Sequence, residues 1–495
     1  MTRLKHYIQA LRAAIEAAGR LRAPGGDVVD GLLSRLETGD RKDAVDVLAP
    51  LLGDSALSDI AHLLSALLLD AENRREAAEA ALAAMVSSGA APYDSLCLAG
   101  DLYLDWRKPV AARHAFDQAI ALAPHASHAH LRRGQAFSAA GDVTAALADL
   151  ERATLLQPNL VEAHLALGDE YRDASMMDAA IVAYRRALAM APDSATAQNA
   201  LDTAIGTQIP AWHAAMLNDE TRNNAFDQAI SRAVTPETRV LDIGTGTGLL
   251  AMMAARAGAA QIIACEAVGP LADTACQIVH KNGFADRITV LHKRSTDLVM
   301  GENMPEPADI LIAEIVDAGL LNENILATIA DARARLLKPD AIIIPQSATV
   351  FAVPIECAEI AGERVVQTAS GFDISPFNDL ISRLYLQIPL SRYDWRPLAQ
   401  PAELFRFDFR SAEPGDAETA ARVIPISDGT AHAVALWFRL ALDEDTVIAT
   451  SPMDPPTHWG QAVYAVDPPV EIKQNEPVRL VARHDGRRIL VSLKG

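Results

Sequence analysis

Short apolar segments alternate with helical ones between residues 239 and 345. Apolar runs of this length indicate buried strands, and strands that alternate with helices predict a doubly wound parallel sheet. Ligands of such sheets bind at the carboxyl ends of the strands. The predicted strands are RVLDI (239–243), QIIACEA (261–267), ITVLHK (288–293) and ADILIAEIV (308–316), and helices are predicted at 249–260, 269–282 and 323–337.

Residues 346–495 follow a different pattern, because apolar and polar positions alternate within short segments split by Pro, Gly and Asp. Alternation with a period of two is typical of antiparallel strands. An antiparallel β-barrel is the simplest closed form, so we predict a β-barrel-like domain over this range.

The first 200 residues repeat. Five residue series keep a step of 34 over three units: Pro124, Pro158, Pro192; Gly100, Gly134, Gly168; Ala112, Ala146, Ala180; Ala119, Ala153, Ala187; and Tyr103, Phe137, Tyr171. Small residues let two helices approach closely, and proline ends the second helix. The spacing and order resemble the tetratricopeptide repeat, a helix–turn–helix unit. We predict an all-α solenoid with repeats at 91–204 and degenerate helical repeats at 1–90, which either binds a partner or caps the next domain.

Composition narrows the classes of partner. The net charge of -20 argues against nucleic acid, whose binding draws on clustered Lys and Arg. An acidic surface either serves solubility alone or attracts cationic proteins or peptides. The four cysteines form no CxxC pair, so neither a metal site nor a disulfide framework is expected. No secretory signal or membrane-spanning run is present, and we expect a cytoplasmic protein.

The first strand ends in a glycine-rich turn. Its order is Asp-x-Gly-x-Gly-x-Gly from Asp242, and Glu266 ends the second strand. A dinucleotide fingerprint is GxGxxG, so this spacing favours another cofactor. It resembles motif I of the class I methyltransferases, which bind S-adenosylmethionine. The resemblance implies an S-adenosylmethionine-binding, Rossmann-like domain at 205–345. Glycines at Gly244 and Gly246 let the backbone approach the cofactor, and Glu266 can accept hydrogen bonds from ribose hydroxyls.

The fourth predicted strand runs out into AEIVDAGLLNE, which places Glu314 and Glu323 nine residues apart around a loop. A guanidinium suits two convergent carboxylates, because each can accept a planar pair of N–H bonds. Together with Thr457-His458-Trp459 and the segment AWHAAMLNDETRN (211–223), they resemble the protein arginine methyltransferases, in the branch that carries tetratricopeptide repeats.

The resemblance implies a role for each matching residue. Arg222 would pair with the cofactor carboxylate in a pocket also lined by His213 and Met216, above a floor of Asp242, Gly244 and Gly246. Glu314 and Glu323 would clamp the substrate arginine. His458 would pair with Asp219, either to brace the fold or to help remove a proton. Where many relatives place a glutamate for adenine, this chain has Ser295 and Thr296.

The resemblance also places a dimer arm at roughly 370–400, within a domain for substrate binding and dimerisation (346–495). The repeat-bearing branch often has a second methyltransferase module. The sequence is expected to be too short to contain one, so its single module is expected to act alone or as a homodimer. Two other functions stay open, which are methylation of a different acceptor and a repeat scaffold with an inactive methyltransferase domain. Methylation of protein arginine predicts that Glu314→Gln abolishes methyl transfer while cofactor binding stays nearly intact.

Overall fold

The computed structural model describes residues 2–17, 19–20, 25–38, 43–54, 56–210, 212–364, 366–380 and 384–494. The chain divides into two compact units, Met1–Gln208 and Ile209–Gly495, close to the predicted junction after Ala204. Over the described ranges, no helix combines the length and the apolar character needed to cross a membrane.

The first unit is helical, as the repeat pattern predicts. Its helices are α1 (Thr2–Ala17), α2 (Gly26–Thr38), α3 (Ala44–Leu48), α4 (Ser58–Ala71), α5 (Arg75–Ser87), α6 (Tyr93–Asp105), α7 (Pro109–Leu122), α8 (Ser127–Ala139), α9 (Val143–Leu156), α10 (Val161–Asp173), α11 (Met177–Met190) and α12 (Ala195–Gln208). The pairs α6–α7, α8–α9 and α10–α11 form the three predicted hairpins. One apolar core extends from Tyr7 to Ala136, so the degenerate region and the first repeats pack together.

The repeated glycines lie where paired helices touch. A Cβ added at Gly168 would fall inside van der Waals contact of the Tyr184 ring, and one at Gly134 would lie 2.8 Å from Leu150. Gly100 faces the Phe116 ring in the same way. The predicted reason for these glycines, close approach of two helices, is therefore confirmed.

The second unit begins with the predicted parallel sheet. Its strands are β1 (Arg239–Ile243), β2 (Gln261–Glu266), β3 (Ile288–His292), β4 (Ala308–Ala313) and β5 (Leu337–Ile344), in the order β3-β2-β1-β4-β5. All neighbouring pairs are parallel. The helices around it are α13 (Trp212–Leu217), α14 (Glu220–Ala233), α15 (Leu249–Ala257), α16 (Gly269–Lys281) and α17 (Ile325–Arg335).

The fourth strand is shorter than predicted. The sequence pattern carries it to residue 316, but pairing with β1 ends at Ala313. The apolar residues Ile315 and Val316 extended the pattern, although they pack in the following loop instead of the sheet. Glu314 is therefore the first residue beyond the strand, at the sheet edge where ligands of this fold bind.

The remainder of the second unit is antiparallel, as predicted. It contains β6 (Ser347–Glu356), α18 (Ala358–Arg364), β7 (Thr368–Ala369), β8 (Phe372–Asp373), β9 (Leu386–Ile388), β10 (Arg396–Pro397), β11 (Ala402–Asp408), β12 (Ala417–Val423), β13 (Gly429–Ala441), β14 (Val447–Ala449), β15 (Gln461–Ile472), β16 (Val478–His484) and β17 (Ile489–Lys494). Among the described strands, hydrogen bonding forms a seven-stranded sheet, a three-stranded sheet and the β7–β8 ribbon in place of one closed ring. Both larger sheets share a single core with the parallel sheet.

The predicted dimer arm begins within the β7–β8 ribbon and carries large exposed apolar side chains. Phe372 is 72% exposed, Phe377 56% and Leu380 80%. Residues 381–383 of this arm lie outside the described residues. Dimerisation through the arm stays a prediction.

Gly168→Ala tests the packing of the repeats. The added methyl group collides with Tyr184, and we expect it to lower the free energy of unfolding of the repeat unit by about 1–3 kcal/mol. Gly206→Ala is the matched control, because it lies in α12 with no atom within 4 Å of the new Cβ and should stabilise by up to about 1 kcal/mol. Urea titration followed by circular dichroism measures both, and equal shifts would contradict the packing argument.

Candidate active site

The glycine turn after β1 has left-handed backbone at three positions. Gly244, Gly246 and Gly248 have φ values of +73°, +58° and +81°, which residues with a Cβ rarely adopt. A Cβ at Gly244 would also lie 2.5 Å from Ile315, whereas one at Gly246 would meet no atom within 4 Å. The turn therefore packs closely on one side and leaves open space above Gly246.

Two buried acids flank this turn. Asp242 accepts a hydrogen bond from the Thr245 hydroxyl (2.5 Å), and burial raises its pKa to about 7. Glu266 accepts hydrogen bonds from the backbone N–H groups of Gly246 (3.0 Å) and Val268 (2.9 Å). Both acids are thereby fixed at the carboxyl ends of neighbouring strands, as the sequence predicts.

Arg222 and Glu314 form a buried ion pair. Nη2 of Arg222 donates to Oε2 of Glu314, and the two side chains are only 4% and 5% exposed. Arg222 also donates to Oδ1 of Asn223 (2.8 Å), and its guanidinium carbon lies 5.3 Å from the centre of the Phe226 ring. The resemblance implies that Arg222 binds the cofactor and Glu314 the substrate, but no sequence pattern indicates that the two side chains are in contact.

Buried polar atoms near the turn remain unsatisfied. Nε of Arg222 and Oδ1 of Asp242 have no hydrogen-bond partner within the part of the chain that the structure describes. Unsatisfied buried groups are costly and call for an explanation. A ligand with both anionic and cationic groups would satisfy them, so these residues fit the methionine end of S-adenosylmethionine.

The loop between Glu314 and Glu323 is shaped by Asp317. Its carboxylate accepts hydrogen bonds from the backbone N–H of Asn322 (3.3 Å) and from the hydroxyl of Tyr385. The Tyr385 ring also lies against Gly319, where a Cβ would come within 2.8 Å of it. Burial raises the pKa of Asp317 to about 6.

Glu323 lies at the far end of this loop. Although its side chain is solvent-exposed, protein atoms crowd the carboxyl group, and its pKa is raised to about 8. Desolvation is the largest cause, followed by repulsion from Glu314, Asp317 and Glu266. A cationic group that bound here would relieve this repulsion.

His458 and Asp219 are in contact, as the resemblance implies. Oδ2 of Asp219 accepts hydrogen bonds from the backbone N–H of His458 (2.9 Å) and from its Nδ1 (3.0 Å). Oδ1 of Asp219 accepts a bond from the backbone N–H of Arg222 (2.9 Å), which caps α14. These bonds lower the pKa of Asp219. The neighbouring Trp459 donates from its indole N–H to the Val316 carbonyl (2.8 Å), in the loop that follows Glu314.

Four other residues were predicted to bind the cofactor, and their contacts do not test that role. His213 is bonded to the Pro210 carbonyl (3.1 Å) and stacks on Trp212, while Met216 is half-buried on the same short helix. Ser295 is buried and Thr296 exposed in the turn after β3, at the same edge of the sheet as Glu266. Their assignment to the cofactor stays a prediction.

Two residues of the site were missed by sequence reasoning. Asp317 lies within the segment IVDAGLLNE, between the two glutamates, and this position could have indicated that it belongs to the site. No sequence signal indicates Tyr385, because it is distant in sequence from the loop that it supports.

The parallel sheet, the glycine turn and the acids around it make up a class I methyltransferase domain, here joined to an antiparallel β domain. Family models match over three ranges: the arginine methyltransferase oligomerization subdomain (346–488), ribosomal protein L11 methyltransferase (225–346) and the tetratricopeptide repeat (161–194).

Proteins named as arginine methyltransferases are similar to just over half of the chain. An arginine N(omega)-methyltransferase of Streptomyces achromogenes subsp. streptozoticus is 39% identical over 274 residues, which are 55% of this chain and 75% of that protein. Protein arginine N-methyltransferase 7 of Oryza sativa subsp. indica is 32% identical over 56% of this chain, which spans 44% of its length. The solved complex of Trypanosoma brucei PRMT1 enzyme and prozyme with AdoHcy matches with a TM-score of 0.51 and 27% identity, over 58% of this chain and 93% of that one. The chain belongs to the arginine methyltransferase family.

Tyr385→Phe tests the support of the glutamate loop. Loss of the hydroxyl leaves the half-buried Asp317 carboxyl short of a partner, so the loop and its glutamates should loosen. We expect kcat/KM for an arginine substrate to fall about tenfold, as for one unsatisfied buried group. Donor affinity, measured by calorimetry, should change less than about twofold, since Tyr385 has no contact with the glycine turn.

The control is Tyr171→Phe, which removes a hydroxyl bonded to Glu151 in the repeat unit. It should leave both quantities unchanged. An unchanged kcat/KM in Tyr385→Phe would contradict the claim that Tyr385 supports the glutamate loop.

Proposed function

We propose that this protein transfers a methyl group from S-adenosylmethionine to the guanidinium of an arginine residue in a protein or peptide. The observation that carries the proposal is the pair of carboxylates at the ends of one loop, Glu314 buried and Glu323 crowded by other acids. Glu314 already holds the guanidinium of Arg222, so its surroundings accommodate such a group.

The donor side is assigned to the residues around the glycine turn. S-adenosylmethionine, when bound, supplies an electrophilic methyl group on a sulfonium. Arg222 would hold the carboxylate of the donor, and Glu266 would hold its ribose. The methionine part would lie beside Asp242, in the open space above Gly246. Glu266 can accept these bonds, because each carboxylate oxygen retains acceptor capacity beyond its one backbone N–H.

The acceptor side is assigned to the two glutamates. They would orient the planar guanidinium and hold its positive charge on the gripped nitrogens, so that the terminal nitrogen keeps electron density for attack. Glu323, with a pKa of about 8, is suited to accept the proton released after transfer. His458 is already bonded to Asp219, and its ring lies 4.1 Å from that of Trp459 at a tilt of 39°, which supports a bracing role for it.

The remaining assignments follow from the same proposal. The repeat unit would recruit substrate or a partner protein, and the exposed apolar arm residues Phe372, Phe377 and Leu380 would contact a second copy in a homodimer. A different acceptor is less suited to two convergent carboxylates. An inactive scaffold is less suited to the retention of Asp242, Glu266 and the Arg222–Glu314 pair.

Identification of the methylated amino acid tests the function. The full chain is incubated with methyl-labelled S-adenosylmethionine and an Arg/Gly-rich peptide, its Lys-substituted twin or free L-arginine, followed by acid hydrolysis. Methylarginine from the arginine peptide alone is expected, and its isomer gives the product type. Label on the lysine peptide would contradict the guanidinium clamp, whereas label on free arginine alone would contradict a protein substrate.

The raised pKa of Glu323 predicts pH-dependent binding of substrate. Below a pKa of about 8 the free carboxyl is protonated, and a guanidinium must displace that proton to bind. With donor saturating, KM for the arginine peptide should therefore fall by up to about tenfold per unit as pH rises towards 8, then level off.

Glu323→Gln is the control for this profile. The variant cannot release a proton, so its KM should be high and independent of pH over the same range. A wild-type KM that is flat, or that rises with pH, would contradict the assignment of Glu323 to the substrate cation.

A further inference from the structure

Glu323 lies in a tight turn at the end of the loop that begins at Glu314. The backbone N–H of Asn324 donates to the carbonyl of Leu321 (2.9 Å) and closes this turn, the Glu323 turn (residues 321–324). Asn322 and Glu323 are its two central residues. A contact that fixes Asn322 therefore also limits the directions that the Glu323 side chain can take.

The backbone that leads into the Glu323 turn is strained. Leu320 has a φ of +73°, a left-handed conformation that is unusual for a residue with a large side chain. Strained backbone of this kind persists only where the surrounding structure holds it, and it is concentrated at functional sites. The conformation of the Glu323 turn therefore depends on contacts with the rest of the domain.

One such contact comes from the turn that joins β16 to β17. Nε of Arg488 donates a hydrogen bond to the side-chain oxygen Oδ1 of Asn322 (3.2 Å). Asn322 and Arg488 are both exposed, so packing in the core fixes neither side chain. Their hydrogen bond links the residue next to Glu323 to a segment 166 positions further along the chain.

Arg488 itself is held firmly in the β domain. Oδ1 of Asp485 accepts a hydrogen bond from the backbone N–H of Arg488 (2.7 Å). The carbonyl of the next residue, Ile489, accepts a hydrogen bond from the hydroxyl of Tyr464, whose ring meets Tyr385 edge to face with centres 5.6 Å apart. Because Tyr385 supports the first part of the glutamate loop, both parts of the loop are held from the same side.

We propose that Arg488 is a positioning residue for Glu323, because its bond to Asn322 fixes the turn that presents this carboxyl group to the substrate arginine. The inference rests on the proposed function, since it concerns the same site. The charges that act on the Glu323 carboxyl group come from other acids. Arg488 thus acts through the geometry of Asn322 and not through its own charge.

Arg488→Met removes the hydrogen bond and keeps an unbranched side chain. With donor saturating, we expect KM for the arginine peptide to rise about threefold to tenfold, because the guanidinium must then order the turn as it binds. We expect kcat and the donor Kd to change less than about twofold, since Glu314 lies outside the turn and keeps its contact with Arg222. Steady-state methyl transfer and calorimetry with the full chain measure the three quantities.

Arg487→Met is the matched control, because it removes the same charge from an exposed neighbouring residue that has no hydrogen bond to Asn322. It should leave KM unchanged. Asn322→Ala should raise KM as Arg488→Met does, and Arg488→Met should have no further effect in the Asn322→Ala background. Additive effects of these two variants would overturn the proposal, as would equal effects of Arg488→Met and Arg487→Met.

Amide hydrogen exchange over residues 317–324 separates this proposal from the proposed function, since it requires no methyl transfer. Exchange should be faster in Arg488→Met than in Arg487→Met. If it is faster but the wild type methylates no arginine peptide, the hold of Arg488 on the turn is upheld and the proposed function fails. If the wild type methylates arginine but KM in Arg488→Met is unchanged, the positioning role fails alone.

Discussion

The buried ion pair between Arg222 and Glu314 is the contact on which the candidate site depends. Two charges that are almost inaccessible to water are tolerated only when they compensate each other, and removal of one partner from such a pair costs about 3–5 kcal/mol. The pair joins the first turn of α14 to the end of β4. It also brings together one residue assigned to the donor and one assigned to the acceptor.

Hydrogen bonds extend this contact into a closed circuit of three chain segments. Glu314 leads to Val316, whose carbonyl accepts the indole N–H of Trp459. The adjacent His458 is bonded to Asp219, and Asp219 caps the helix that carries Arg222. Segments near residues 220, 315 and 458 are thereby fixed to one another, although they are far apart in sequence. A displacement of one segment would therefore shift the other two.

Much of this arrangement could be predicted, and the reasons differ by residue. The strands, the glycine turn and Glu266 follow from local patterns, because backbone conformation and burial are encoded within a few positions. The pairing of Asp219 with His458 was available only through the resemblance. The end of β4 was placed too late, since Ile315 and Val316 are apolar but pack in a loop. Tyr385 and the contact of Arg222 with Glu314 depend on tertiary packing, which no local pattern reports.

The most direct test is the affinity of Glu314→Gln and Glu323→Gln for S-adenosylmethionine, measured by calorimetry with the full chain. If Arg222 needs Glu314 to hold its position, Glu314→Gln should weaken donor binding about tenfold or more, and Glu323→Gln less than about twofold. Glu314→Gln should also lose methyl transfer, whereas Glu323→Gln should keep enough of it for its KM to be measured. Donor affinity in Glu314→Gln equal to that of the wild type would restore the simpler separation of donor and acceptor residues, and would contradict the coupling of the two through the ion pair.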